Sequence, residues 1–243
     1  VTILSKFKLE RPNTIVEFTK RLLLERNFER TNRPITGPIV VHAVAGAGKS
    51  SVINTVSLTF QLICWTTLPE EKASFNCLHL RHLDGPAFPG AFVDEYQLAD
   101  TDLSEAAFLF GDPLQYPGPA AQVPHFVKLF SHRCGLNSAS LIRELGIAFE
   151  ASKLDSVQHL DPYSSDPEGT ILAFEPEVQA ALASHSLDFL CLDEFRGKQW
   201  PVCTLYVSTK NLCDLDRPSV YVALTRHYER LLIMSFDAAD TSA

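Results

Sequence analysis

The chain has 243 residues, a mass of 27.0 kDa and a formal net charge of −8. That length suits one large domain or two small ones, and a 46% hydrophobic content supplies a buried core. No apolar run approaches the roughly 20 residues of a membrane span, the N-terminal apolar block is too short for a secretory signal, and the acidic balance argues against a protein that simply coats nucleic acid.

The charge is uneven. Residues 1–33 hold eight Lys/Arg and four Glu, so a segment of +4 precedes a body of −12. Such a segment reads either as a contact for phosphates or an acidic partner, or as a solvated amphipathic helix. The six cysteines (64, 77, 134, 191, 203 and 213) form no Cys-x-x-Cys pair. They read as small buried hydrophobes in a reducing compartment rather than as a zinc knuckle or disulfide framework.

In chain order, residues 14–30 have helical spacing at Ile15, Phe18 and Leu22. "TNRPITGP" is a loop by its Pro and Gly content. "IVVHAV" predicts a buried strand and "KSSVINTVSLTFQLIC" a helix. Short apolar runs follow at 75–80 (FNCLHL), 91–93 (AFV), 106–110 (AAFLF) and 126–130 (FVKLF). Apolar runs alternating with helical stretches predict a parallel sheet covered on both faces. A second cycle starts near residue 135: a helix over "SASLIRELGIAFEA" with Ser138 as its cap, a strand at 169–174, a helix at 176–184 with Pro176 in its first turn, strands at "LDFLC" and "CTLYV", a helix at "RPSVYVALTR" and a final strand "RLLIMSF". The polar stretch 152–169 reads as a long loop. The expected organisation is a basic segment 1–33, a first α/β unit 34–134 and a second α/β unit 135–243.

The chemistry concentrates in a few stretches. "AVAGAGKSS" follows the pattern G-x-x-x-x-G-K-[ST] with Ala43 in the first place. Gly46, Ala47 and Gly48 would turn backbone N–H groups toward phosphates at a helix N-terminus, with Ser51 in its first turn. Lys49 would reach the β- and γ-phosphates and Ser50 would ligate Mg²⁺. The alternative is a plain strand–helix turn. "AFVDEY" puts Asp94 and Glu95 at a strand end, one for the metal shell and one for the attacking water, or as a surface acidic pair. "FLFGDPLQYP" offers Gln115 as a γ-phosphate sensor, or an Asp-Pro turn. Arg133 and Arg226 would stabilise transition-state charge, or make surface ion pairs. His79 and His82 have no further metal ligands nearby in sequence, and Trp200 reads as core or as a base-stacking platform.

Taken in order, "AVAGAGKSS", "VDEYQL", "FGDPLQYP", "SHRCG", "EFRGKQWPVCTLYVS" and "YVALTRHYERLL" resemble motifs I to VI of superfamily 1 viral RNA helicases. In its short length the chain is most similar to the triple gene block 1 movement proteins of carlaviruses and potexviruses. The resemblance implies an α/β fold of two small RecA-like P-loop domains with mainly parallel sheets and a nucleotide cleft between them. It implies RNA-stimulated NTPase and helicase activity with ATP and Mg²⁺, cell-to-cell movement and suppression of RNA silencing. Implied partners are viral single-stranded RNA, coat protein or virions, the small membrane movement proteins, host silencing factors and further copies of the chain, in the host cytoplasm and at plasmodesmata. Lys49, Glu95, Gln115, Arg133 and Arg226 take catalytic roles, and Ser50 and Asp94 hold the metal. Ala43, Gly46, Ala47, Gly48, Lys49, Ser50 and Ser51 hold the nucleotide. Gly197 and Thr204 mark the RNA-binding motif V. Three departures stand out: Ala43 replaces a Gly, Arg196 stands where Thr or Gln is usual, and "CLHLRHLDG" matches motif Ia poorly. Rival readings are an RNA-binding suppressor with a vestigial nucleotide site, a helicase domain cut from a replicase, and a P-loop small-molecule kinase.

Overall fold

The computed structural model describes residues 12–68, 80–116 and 121–236. The start of the basic segment, His79 and all but the last residue of "FNCLHL" lie outside the described residues. The chain forms two units: within the described residues, 12–43, 48–113 and 121–128 make the first, and 44–47, 114–116 and 129–236 the second.

The first unit is built on a seven-stranded sheet. Its elements are α1 (Pro12–Glu25), β1 (Glu29–Arg30), β2 (Ile39–Ala43), α2 (Lys49–Phe60), β3 (Cys64–Thr66), β4 (Leu80–His82), β5 (Phe92–Asp94), a single 3₁₀ turn at Tyr96–Leu98, β6 (Phe108–Gly111) and β7 (Phe126–Lys128). The strand order is β1-β7-β2-β6-β5-β3-β4. Every pair is parallel except β1 with β7. Central β2 is β-branched and buried on both faces, as a strand flanked by parallel neighbours must be. Alternate side chains of β6 serve opposite faces. Phe108 and Phe110 stack with Phe92, at 4.9 Å for Phe92–Phe108 and 5.9 Å for Phe108–Phe110, while Leu109 packs with Val40, Val93 and Tyr96. The helix expected over 14–30 ends at Glu25, because Asn27 turns into the left-handed region at φ 60° and the chain leaves as β1. Likewise α2 stops where Gln61 does the same, so Ile63 and Cys64 lead into β3 rather than extend the helix.

The second unit carries a four-stranded parallel sheet, order β8-β11-β10-β9. Its elements are α3 (Leu136–Glu144), β8 (Ser156–Leu160), β9 (Thr170–Leu172), α4 (Pro176–Ser184), α5 (Leu192–Phe195), β10 (Trp200–Val207), a 3₁₀ turn at Leu212–Asp214, α6 (Arg217–Leu224) and β11 (His227–Ser235). Ala173, Val178, Leu182, Tyr206 and Met234 form a core on one side of the sheet. α4 starts with Pro176 at a position that needs no N–H, and α6 is capped by the Asp216 carboxylate, which accepts from Ser219 N at 3.0 Å.

Three expectations are corrected here. The stretch read as one long loop contains β8, an edge strand whose half-exposed residues hide the apolar signal. "LDFLC" contributes a single bridge, Leu190 to Leu172, before α5 begins. Ser138 lies inside α3 rather than capping it; the N-cap is Gly135. Among the cysteines, Cys64, Cys134 and Cys203 are buried as expected, whereas Cys213 is exposed.

Candidate nucleotide site

In the first unit, β2, β5 and β6 end at Ala43, Asp94 and Gly111, and open parallel sheets bind ligands beyond such carboxyl ends. Lys49 opens α2 and is 7% exposed. Its Nζ donates to Ala43 O at 2.8 Å, so the ammonium is folded back onto the strand that precedes the loop. Gly48, the N-cap of α2, has φ +98° and offers no side chain to the first N–H groups. A helix N-terminus left open in this way is a ready anion site. Ser50 and Ser51 lie in the exposed first turn. The Ser51 hydroxyl accepts from Arg26 Nη1 at 2.8 Å and Thr55 Oγ1 accepts from Arg26 Nη2 at 2.7 Å, an anchor that the loop pattern gives no hint of.

Asp94 is 5% exposed, and its Oδ1 accepts from Glu95 N at 3.1 Å. Burial pushes the Asp94 carboxyl up from its ordinary value, against the opposing pull of the Lys49 ammonium and the Glu95 N–H. A carboxylate that burial disfavours and a cation relieves is suited to hold a metal ion. Glu95 sits at φ +53°. A non-glycine residue there stores about 1–3 kcal/mol of strain, typical of functional turns. Thr67 Oγ1 pins that turn by donating to Glu95 O at 2.5 Å. His42 Nε2 and Tyr96 Oη are 2.8 Å apart. Burial lowers His42 to about 4, Asp112 pulling it up and Lys49 pressing it further down.

The second unit holds the middle of the loop. Ala45 N–H donates to Tyr221 Oη at 2.9 Å, and Ala45 O accepts from Ser131 Oγ at 2.8 Å. Gly46 O accepts from His132 N at 3.0 Å. Gly46 has φ +76°, and a Cβ there would stand 2.5 Å from Arg133 Cβ and 2.7 Å from Ser131 Oγ. Gln115 is buried in this unit. Arg133 is half-buried, its Nη1 3.4 Å from Thr225 O. Arg226 is 1% exposed. Its guanidinium donates to Val222 O (2.9 Å), Lys198 O (3.2 Å) and Thr225 Oγ1 (2.8 Å). Burial lowers it to about 10, and the nearby Arg133 charge adds to that. No carboxylate among the described residues pairs with it. Gly197 follows α5 at φ +83°. Thr204 is buried in β10, its hydroxyl donating to Glu168 O at 2.7 Å and accepting from Glu168 N at 2.9 Å. Arg196 lies 5.0 Å over the Tyr116 ring.

A glycine loop between a buried parallel strand and a helix, with a buried Lys and a carboxylate at the end of a strand two places along the same sheet, defines an α/β protein of the P-loop class. The model of the viral superfamily 1 RNA helicase core domain matches residues 39–235. The chain belongs to that family, and within it to the TGBp1 group of movement and silencing proteins. It is 35% identical over 232 residues to the movement and silencing protein TGBp1 of White clover mosaic virus (strain O), covering 91% of this chain and 97% of that relative. It is 32% identical over 225 residues to the protein of that name in Chrysanthemum virus B, with the same two coverages. Among solved structures it is similar in fold to the Arterivirus nonstructural protein 10 helicase, with a TM-score of 0.52 and 20% identity over 94% of this chain. The chain spans 58% of that helicase's length.

Proposed function

We propose that the chain is an RNA-stimulated nucleoside triphosphatase and RNA helicase that serves cell-to-cell movement of viral RNA and suppresses host RNA silencing. The observation that carries the reading is the buried Lys49 ammonium beside the buried Asp94 carboxyl, at the open N-terminus of α2. Residues Ala43–Ser51 would hold the triphosphate, Lys49 exchanging its bond to Ala43 O for phosphate oxygens. Ser50 and Asp94 would hold Mg²⁺, which when bound neutralises phosphate charge. Glu95 orients the attacking water and Gln115 couples phosphate state to RNA. Arg133 and Arg226 supply cationic charge to the transition state. Gly197 marks the RNA contact; Thr204, its hydroxyl engaged by Glu168, supports that contact from inside the strand.

The relatives' names supply the movement and silencing roles. Partners are viral single-stranded RNA, coat protein or virions, the small membrane movement proteins, host silencing factors and further copies of the chain, in the host cytoplasm and at plasmodesmata. No helix of the described residues is long and apolar enough to cross a membrane. The test is ATP hydrolysis with and without single-stranded RNA in wild type and Lys49→Ala. Hydrolysis stimulated by RNA and lost in the variant is expected; equal rates sink the reading.

A second reading, an RNA-binding suppressor with a regulatory nucleotide site, is favoured by one observation: the Arg226 guanidinium is buried and committed to three oxygens. Saturable ATP binding in an equilibrium titration, with no turnover in the hydrolysis assay, would select it.

A further inference from the structure

The second unit contains a buried polar cluster that the nucleotide reading does not use. Asp155 precedes β8 with its side chain 1% exposed; His227 and Ser138 are fully buried. Asp155 Oδ2 accepts from Gly135 N at 3.1 Å and Ser138 N at 3.2 Å, and from the Ser138 hydroxyl in a short bond. Its Oδ1 accepts from Asn137 N at 2.9 Å. One carboxylate thus takes the first N–H groups of α3, whose N-cap Gly135 has no side chain to do so. Burial alone would raise Asp155, but the bonds from His227, Ser138 and the backbone outweigh it and hold the carboxyl well below the usual range.

Capping needs no third limb, yet there is one. His227 Nε2 lies 3.0 Å from Ser138 Oγ and 3.5 Å from Asp155 Oδ2. Ser138 has one hydroxyl hydrogen and gives it to the carboxylate, so His227 must donate from Nε2. The same segment straps both neighbours a second time: Leu136 N donates to Lys153 O at 2.9 Å, and Lys153 Nζ donates to Tyr228 O at 2.7 Å.

The two segments joined are those that carry the arginines. Arg133 stands two residues before Gly135, and Arg226 immediately precedes His227. Two guanidinium groups whose charges oppose one another, with Arg226 buried and lacking a carboxylate among the described residues, tend to drift apart unless their backbones are held. We propose that Asp155, through Ser138 and His227, is a positioning residue that sets the spacing of Arg133 and Arg226. Gly135 belongs to the device: a Cβ there would overlap the Asp155 carboxyl, with Oδ1 only 2.5 Å away. The glycine of "SHRCG" makes room for the carboxylate.

The inference rests on the hydrolytic reading, and its test separates the two. RNA-stimulated ATP hydrolysis is measured in wild type, Lys49→Ala, Asp155→Asn and Gly135→Ala, each well below its own melting temperature and normalised to folded protein. A wild type no faster than Lys49→Ala ends the hydrolytic reading. With wild type active, misplacement of the arginines should lower kcat in Asp155→Asn and Gly135→Ala by about tenfold or more while KM stays within about threefold. Combined with Arg133→Ala, Asp155→Asn should add less than its loss in the wild-type background, because part of that loss acts through Arg133. A kcat per folded molecule equal to wild type, whatever the melting temperature, overturns the inference, and so does full multiplication of the two losses. Should Asp155→Asn not fold, Ser138→Ala carries the same cycle, with a smaller loss of about threefold and the same refuting outcomes.

Discussion

The two loop glycines give the sharpest test of the structure, because they share a backbone conformation and differ in surroundings. Gly46 and Gly48 have φ +76° and +98°. An alanine at either position pays about 1–2 kcal/mol for the left-handed region. At Gly48 that is nearly all, since the new methyl meets nothing within 4 Å. At Gly46 the methyl would stand 2.5 Å from Arg133 Cβ and 2.7 Å from Ser131 Oγ, about 1 Å inside a normal carbon contact. Relief requires moving the Ser131–Arg133 backbone and loosening the bond from Ser131 Oγ to Ala45 O. Overpacking of this kind adds about 1–3 kcal/mol. Gly46→Ala should therefore lie about 2 kcal/mol below Gly48→Ala in urea unfolding at equal m-value, or about 4–8 °C in Tm for a chain of this size. A Gly46→Ala protein as stable as Gly48→Ala would refute the packing of Ser131 and Arg133 against the loop.

Tyr221→Phe leaves the Ala45 N–H buried without its 2.9 Å acceptor; a loss of about 1–3 kcal/mol in urea unfolding is expected. Arg226→Lys cannot reproduce a three-oxygen fork and should cost about 3 kcal/mol by the same measurement, most of it from the buried charge-assisted bonds that are lost. Because the folded Asp155 carboxyl is held below its unfolded value of about 4, its contribution is complete above that pH and is lost as pH falls through the folded value. The difference in unfolding midpoint between pH 7 and pH 3 should accordingly be smaller in Asp155→Asn than in wild type.

What could be read in the sequence was what local spacing dictates. β2, the glycine loop and the start of α2 were legible because a continuous β-branched run, two glycines and Lys-Ser leave few alternatives. The ends of β5 and β6 were legible because Phe92–Val93 and Phe108–Phe110 are buried on both faces. What escaped depends on groups distant in sequence. β8 is polar and marked as a strand only by pairing with β11. Ser138 resembles a cap, yet the capping carboxylate arrives from Asp155. Arg26 anchors Ser51 and Thr55 from the turn that follows α1. The left-handed Glu95 follows from a turn that Thr67 pins, and no residue type announces it.

The assignment of Val44–Ala47 to the second unit bears on how the chain can be divided. A fragment beginning at Leu129 would leave the Tyr221 hydroxyl, the Ser131 hydroxyl and the His132 N–H without Ala45 and Gly46. A fragment ending at Lys128 would keep the loop's sequence and lose what shapes it. The tetrapeptide is, in effect, a splice from one body into the reading order of the other, so neither half in isolation inherits a finished phosphate loop.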